Sequence, residues 1–187
     1  MRDSREGILE EAEGGLWRLR FVRRLRHAPD VVWSSITEPT HMAAWMPARM
    51  EGERRAGAKL RFVFPEEPSY DSRGEIIVYD PPRVFEYAWE DERLRFELRP
   101  IDGGTELTFL TTFADVGKAA RDAAGWHACL DALAAHLDGG DGVVARDGWR
   151  TLAEKYRGAF PPEASTVGPP EWHPESRNEA WPEDRRT

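Results

Sequence analysis

A single cysteine, Cys129, excludes an internal disulfide, so packing and hydrogen bonds must hold the fold together. Long apolar runs are also missing: none approaches the roughly 18 residues that a membrane-spanning helix needs, and no membrane partner is expected. Nor is there a basic surplus. With 26 Lys and Arg against 34 Asp and Glu, the formal charge is −8, which argues against a general nucleic-acid binder. The N-terminal region is dense in charge and lacks the apolar core of a signal peptide, so the expected compartment is the cytoplasm. No internal repeat is present, and 187 residues support one ordinary domain with a full core.

Motifs that carry chemistry are equally scarce. The histidines, His27, His41, His127, His136 and His173, show no His-x-x-x-His spacing, and no Cys-x-x-Cys exists, so no metal is expected. There is no nucleophile elbow, no dinucleotide fingerprint and no phosphate loop. Asp102-Gly103-Gly104-Thr105 is a hairpin link with nothing helical after it. No cofactor and no catalytic residue are assigned. Cys129 reads as a small packed residue rather than a reactive thiol.

What the chain does have is periodicity. Ala119, Ala123, Trp126, Leu130, Leu133 and Leu137 recur at steps of four and three, which is the stripe of one helix across residues 115–140. Asp115 can cap its start and Gly139-Gly140 can stop it. Arg121, Asp122, Asp131 and His136 mark an opposite, solvent-facing side. Gly125, inside that helix, is unfavourable by about 1 kcal/mol relative to alanine, so it marks either close approach of another element or open space.

Before the helix, strand patterns dominate. Residues 16–26 alternate, with Trp17, Leu19, Phe21 and Leu25 on one face and Arg18, Arg20, Arg24 and Arg26 largely on the other. These arginines read as an outer face paired with acidic neighbours. Pro29 opens a short helix through Val31, Val32, Trp33 and Ile36, and a second carries Met42, Trp45 and Met46 up to Pro47. Six further strand signals follow at 48–53, 59–64, 74–79, 83–90, 93–99 and 105–113, with turn residues between them. Links this short require antiparallel neighbours. The expected fold is therefore α+β: a curved antiparallel sheet of seven strands, braced by two short helices and gripping one long C-terminal helix.

The residues 21–33, then Ile36-Thr37-Glu38-Pro39 and Ala44-Trp45, resemble the opening of the START-like SRPBCC superfamily. The branch they resemble most is that of homologues of the activator of the Hsp90 ATPase, in which a Gly-Trp pair such as Gly125-Trp126 precedes a leucine stripe on the closing helix. The resemblance covers about residues 16–140. It implies a helix-grip with a cavity between sheet and helix that in various relatives holds apolar molecules, and it implies no shared chemistry.

The inward positions lead to the same place. Trp33, Trp45, Phe62, Phe64, Tyr87, Trp89, Phe96, Phe109, Trp126 and Leu130 converge on one space, which they either line as a hydrophobic ligand-binding cavity or fill as a solid core. If Trp126 is fully buried, its truncation to alanine removes about 3–5 kcal/mol. Around the domain at 16–140, residues 1–15 read as a mobile lead-in or weak helix. Residues 141–160 read as an appended amphipathic helix through Trp149, Leu152, Tyr156 and Phe160, and 161–187 as an acidic, proline-rich disordered tail carrying Trp172 and Trp181.

Three functions are consistent with these patterns. The one the residues favour is a non-catalytic binder of an apolar or aromatic small molecule. The resemblance adds a chaperone-activator-like protein that binds a protein partner. A cyclase- or hydrolase-type enzyme would use Tyr87, Glu90 and His127 around the same cavity. A second copy of the chain, forming a homodimer, is a further candidate partner.

Overall fold

The computed structural model describes residues 5–64, 71–140 and 146–168. The elements run β1 (Ile8–Glu11), β2 (Trp17–Leu25), α1 (Pro29–Thr37), α2 (Pro39–Met42), β3 (Arg49–Glu51), β4 (Lys59–Val63), β5 (Ser72–Asp80) and β6 (Val84–Trp89). They continue with β7 (Glu92–Ile101), β8 (Gly104–Phe113), α3 (Ala119–Leu137) and α4 (Arg146–Ala159). The strands form one sheet in the order β1-β2-β8-β7-β6-β5-β4-β3, with every neighbouring pair antiparallel.

The sheet thus has eight strands rather than the expected seven. The extra one, β1, lies in the segment read from sequence as a lead-in. It pairs Ile8 with Arg20 and Glu11 with Trp17, and the Glu10 carboxylate faces Arg18 and Arg20 across the two strands. A strand this short and acidic has no periodic signal of its own; β2 supplies both its hydrogen bonds and its counter-charges.

Alternation decides the two faces of the sheet. In β8, Thr105, Leu107, Phe109, Thr111 and Phe113 are all buried while the intervening residues are not. The outer face is a lattice of ion pairs set by register. Glu86 lies opposite Arg95 and bonds it, Arg99 bonds Glu106, and Lys59 bonds Glu75. The inner face carries the core, with α1, α2 and α3 laid across it. Trp33 packs edge-on to Tyr79 and Phe85, and Trp45 packs on Phe96 while donating its indole N–H to the Ser35 carbonyl at 2.9 Å.

The Asp115 side chain accepts from the Gly117 amide at 2.8 Å, capping a 3-10 turn that leads into α3. The left-handed Gly139, at φ 83°, ends the helix. α3 is less open to solvent than its stripe implied. α4 packs along it, so Ala120, Ala124, His127 and Ala128 are buried as well as the sheet-facing residues. Residues 161–168, read from sequence as the start of a disordered tail, are packed on the domain. Residues 162–165 form a turn, Ala164 is buried, and the Val167 amide donates to the Gly117 carbonyl at 3.0 Å. Trp172 and Trp181 lie outside the described residues.

Candidate functional site

Register builds the site on the inner face. Tyr87 of β6, Leu94 of β7, Thr111 of β8 and Leu19 of β2 form one cross-strand row. Phe85, Phe96, Phe109 and Phe21 form the row beside it. All eight are fully or almost fully buried. Phe62 reaches this floor from β4 because Gly74 of β5 has no side chain: a Cβ there would stand 2.8 Å from the Phe62 ring and 2.1 Å from the Ala88 carbonyl oxygen. Phe62 then stacks on Trp89 with ring centroids 4.2 Å apart.

Above this floor the packing loosens toward α3. Phe64, Trp89, Trp126 and Cys129 are only partly buried, although each packs against the core. Trp126 meets Phe109 at 4.8 Å and Trp89 at 6.5 Å between centroids, and Phe64 meets Trp89 at 6.0 Å. The Trp89 indole N–H is held by Ser72 at 2.7 Å. At Gly125 an added Cβ would meet nothing within 4 Å. The glycine therefore faces open space, and of the two readings open from sequence, close approach is the one to discard. Together these residues form the half-buried seam between α3 and the β4–β6 half of the sheet.

The polar groups of this inner face are few. The Tyr87 hydroxyl and the Thr111 hydroxyl are buried without a hydrogen-bond partner, which is costly for each unless something occupies that bond. Burial pushes the Tyr87 hydroxyl far above its usual range, with the nearby Cys129 thiol adding to the effect. Burial likewise pushes the Cys129 thiol up to about 12. It therefore stays neutral and acts as apolar wall, not as a nucleophile. At one end, Glu92 bonds Lys118, which also faces Asp122, and Asp122 bonds Arg121. Burial raises both carboxyls, and the two cations draw them partly back.

Of the ten residues proposed from sequence to line a cavity, Phe62, Tyr87, Phe96, Phe109 and Leu130 are floor and helix core. Phe64, Trp89 and Trp126 are the half-buried rings of the seam beside α3, and Trp33 and Trp45 anchor α1 and α2. Because Trp126 is half-buried, its truncation is expected to remove less than about 3 kcal/mol, not the larger figure for full burial. Thr111, Cys129 and the Glu92–Lys118–Asp122 cluster were not singled out as parts of a site from sequence. Strand alternation places Thr111 inward together with Leu107, Phe109 and Phe113, but only the register sets it in the row of Tyr87.

The enzyme-type trio does not assemble. Glu90 is exposed at the β6–β7 turn with φ 55°. Both nitrogens of the buried His127 face other partners: Nδ1 lies 2.7 Å from the Tyr156 hydroxyl and Nε2 lies 3.4 Å from Asp131. The Tyr156 hydroxyl accepts from the Gly7 amide at 2.8 Å, and the buried Arg23 guanidinium reaches Asp131 at 3.3 Å and the Arg5 carbonyl at 2.6 Å. This network ties the N-terminal segment and α4 to α3. An open depression elsewhere, bordered by Glu51, Lys59, Arg61 and Asp71, lies at the β3–β5 edge, where those charges pair with one another or with Glu75.

Residues 26–138 match the family model described as activator of Hsp90 ATPase homolog 1-like protein. No curated protein matches the chain. Among solved structures, the conserved protein of unknown function EF2215 from Enterococcus faecalis is 16% identical with a TM-score of 0.68, over 82% of this chain and 89% of that one. CalU16 from Micromonospora echinospora is 20% identical with a TM-score of 0.67, over 83% and 94%. DynU16, from the dynemicin biosynthetic locus, is 20% identical with a TM-score of 0.61, over 67% of this chain and 49% of its own. These likenesses show a shared fold. Among the described residues, no helix is long and apolar enough to cross a membrane.

Proposed function

The chain belongs to the activator of Hsp90 ATPase homolog 1-like family of the SRPBCC fold, and on that premise we propose that it binds an apolar or aromatic small molecule in the cleft under α3. The observation that carries this reading is the group of half-buried aromatic rings, Phe64, Trp89 and Trp126, bordering the open space at Gly125. In the two rows beneath, Tyr87, Phe85, Phe96, Phe109 and Phe21 are at or near zero exposure. Here three large rings keep accessible surface while stacked on that same core, which is the pattern of a wall awaiting an apolar occupant. The similarity of fold to DynU16, a protein of a biosynthetic locus, accords with a small-molecule ligand.

The two unpartnered hydroxyls refine the ligand. Tyr87 and Thr111 lie buried in the floor and can each donate one hydrogen bond and accept others, so a ligand that packs down to them is preferred when it carries a neutral oxygen or nitrogen function on a mostly apolar body. A carboxylate buried there would find no cation in the same row to balance it. Such a role needs no catalytic group.

The test is titration of the full chain with a neutral apolar fluorescent dye, alongside the Gly125→Leu variant. Saturable one-to-one binding that Gly125→Leu abolishes, with the melting temperature preserved, supports the cleft. Absence of saturable binding to the wild-type chain, or binding indifferent to Gly125→Leu, rejects it.

A further inference from the structure

His41 and His136 stand 95 residues apart in sequence, yet the fold brings His41 Nδ1 to 3.0 Å from His136 Nε2, with ring centroids 5.3 Å apart. We infer that these two imidazoles form a surface site for a divalent transition metal ion of the zinc, copper or nickel class, bridging the end of α2 to the end of α3.

The argument is geometric. A ring-to-ring separation of 5.3 Å with the nitrogens at 3.0 Å is a head-on N–H···N hydrogen bond. Two imidazoles sharing a tetrahedral metal, with metal–nitrogen distances of about 2.0–2.1 Å, have their nitrogens about 3.3 Å apart and their centroids about 5.2 Å apart. The centroid separation is the same in both arrangements. Metal can therefore replace the shared proton by tilting the two rings, with no movement of either helix, so the site is pre-organised at the level of the backbone.

The surroundings suit a cation. His136 lies in the last turn of α3, a helix of 19 residues whose C-terminal carbonyls favour positive charge, and His41 lies in the last turn of α2. His41 is exposed and His136 half-exposed, so water has access to complete the coordination. Among the described residues no group of three or more His, Cys, Asp and Glu side chains could hold a metal, so the protein supplies two ligands and solvent the rest. Two neutral imidazoles with open positions favour borderline ions over magnesium or calcium, which prefer oxygen ligands.

The experiment is calorimetric titration of the full, untagged chain with Zn2+ at neutral pH, where imidazoles are largely unprotonated. One equivalent should bind, and either His41→Ala or His136→Ala should weaken it by about tenfold or more, because a lone imidazole is an ordinary surface ligand. His27→Ala, whose ring bonds Asp138 rather than either of the two histidines, should leave the affinity unchanged. Metal-free melts of the two key variants report whether each is folded, and the Zn2+-induced rise in melting temperature should vanish in both. Absence of saturable binding, or binding that survives in the His41→Ala/His136→Ala double variant, overturns the site.

Discussion

Replacing Gly125 tests the placement of the cleft more directly than any other single change. Glycine in a helix interior is unfavourable by about 1 kcal/mol relative to alanine, because it has more conformational freedom to lose on folding. Ordinarily a glycine facing a sheet cannot be replaced, since the new methyl would collide with the sheet. Here an added Cβ meets nothing within 4 Å and the backbone is not left-handed. Gly125→Ala should therefore stabilise the chain by roughly 0.5–1 kcal/mol, which for a protein of this size raises the melting temperature by about 1–4 °C. Denaturant and thermal melts of the two proteins at equal concentration measure it. A destabilisation of more than about 1 kcal/mol would refute the reasoning, because overpacking of that size means the space beside α3 is already filled.

Other substitutions probe the surrounding parts. Gly74→Ala should be destabilising by about 1–3 kcal/mol or more in the same melts, since its Cβ would stand 2.1 Å from the Ala88 carbonyl oxygen. Tyr87→Phe removes a buried hydroxyl that has no partner, so melts should show a neutral to slightly stabilising effect, while an oxygen-bearing ligand should bind more weakly in dye displacement. Tyr156→Phe leaves the Gly7 amide and His127 without the hydroxyl between them and should destabilise by about 1–3 kcal/mol; hydrogen exchange at the Gly7 amide should rise with it.

Stability should also depend on pH in a definite direction. Burial raises the Glu92 and Asp122 carboxyls in the folded chain, so their contribution is full below the unfolded carboxyl range near about 4 and is lost as pH rises through the folded values. Asp131 behaves oppositely: burial alone would raise it, but His127 and Arg23 outweigh that and hold it low, so its contribution is lost as pH falls through its folded value. Denaturant midpoints across weakly acidic to neutral pH should therefore decline less steeply in Asp122→Asn than in the wild type. An identical slope would reject the assignment.

The order of elements from β2 to α3 and the sheet-facing side of each were legible in the chain alone, because both follow from local periodicity. The 3–4 spacing from Ala119 to Leu137 could only make a helical stripe, and the alternation through Leu107, Phe109 and Phe113 could only make a strand with one buried face. With short links between the strands, those patterns left little besides a curved sheet holding one helix. They also separate the inward aromatics from the outward charges. What tertiary structure alone decided lies wherever a contact joins distant segments. β1 exists because β2 offers it an edge and two arginines; Tyr87 and Thr111 share a row because β6 and β8 pair with β7 in one register. Gly125 faces space, His127 is tied to Tyr156, and His41 meets His136, through distances that no local pattern encodes. Periodicity fixes which way a side chain points along its own element, whereas partner, register and leftover volume depend on how the elements pack together.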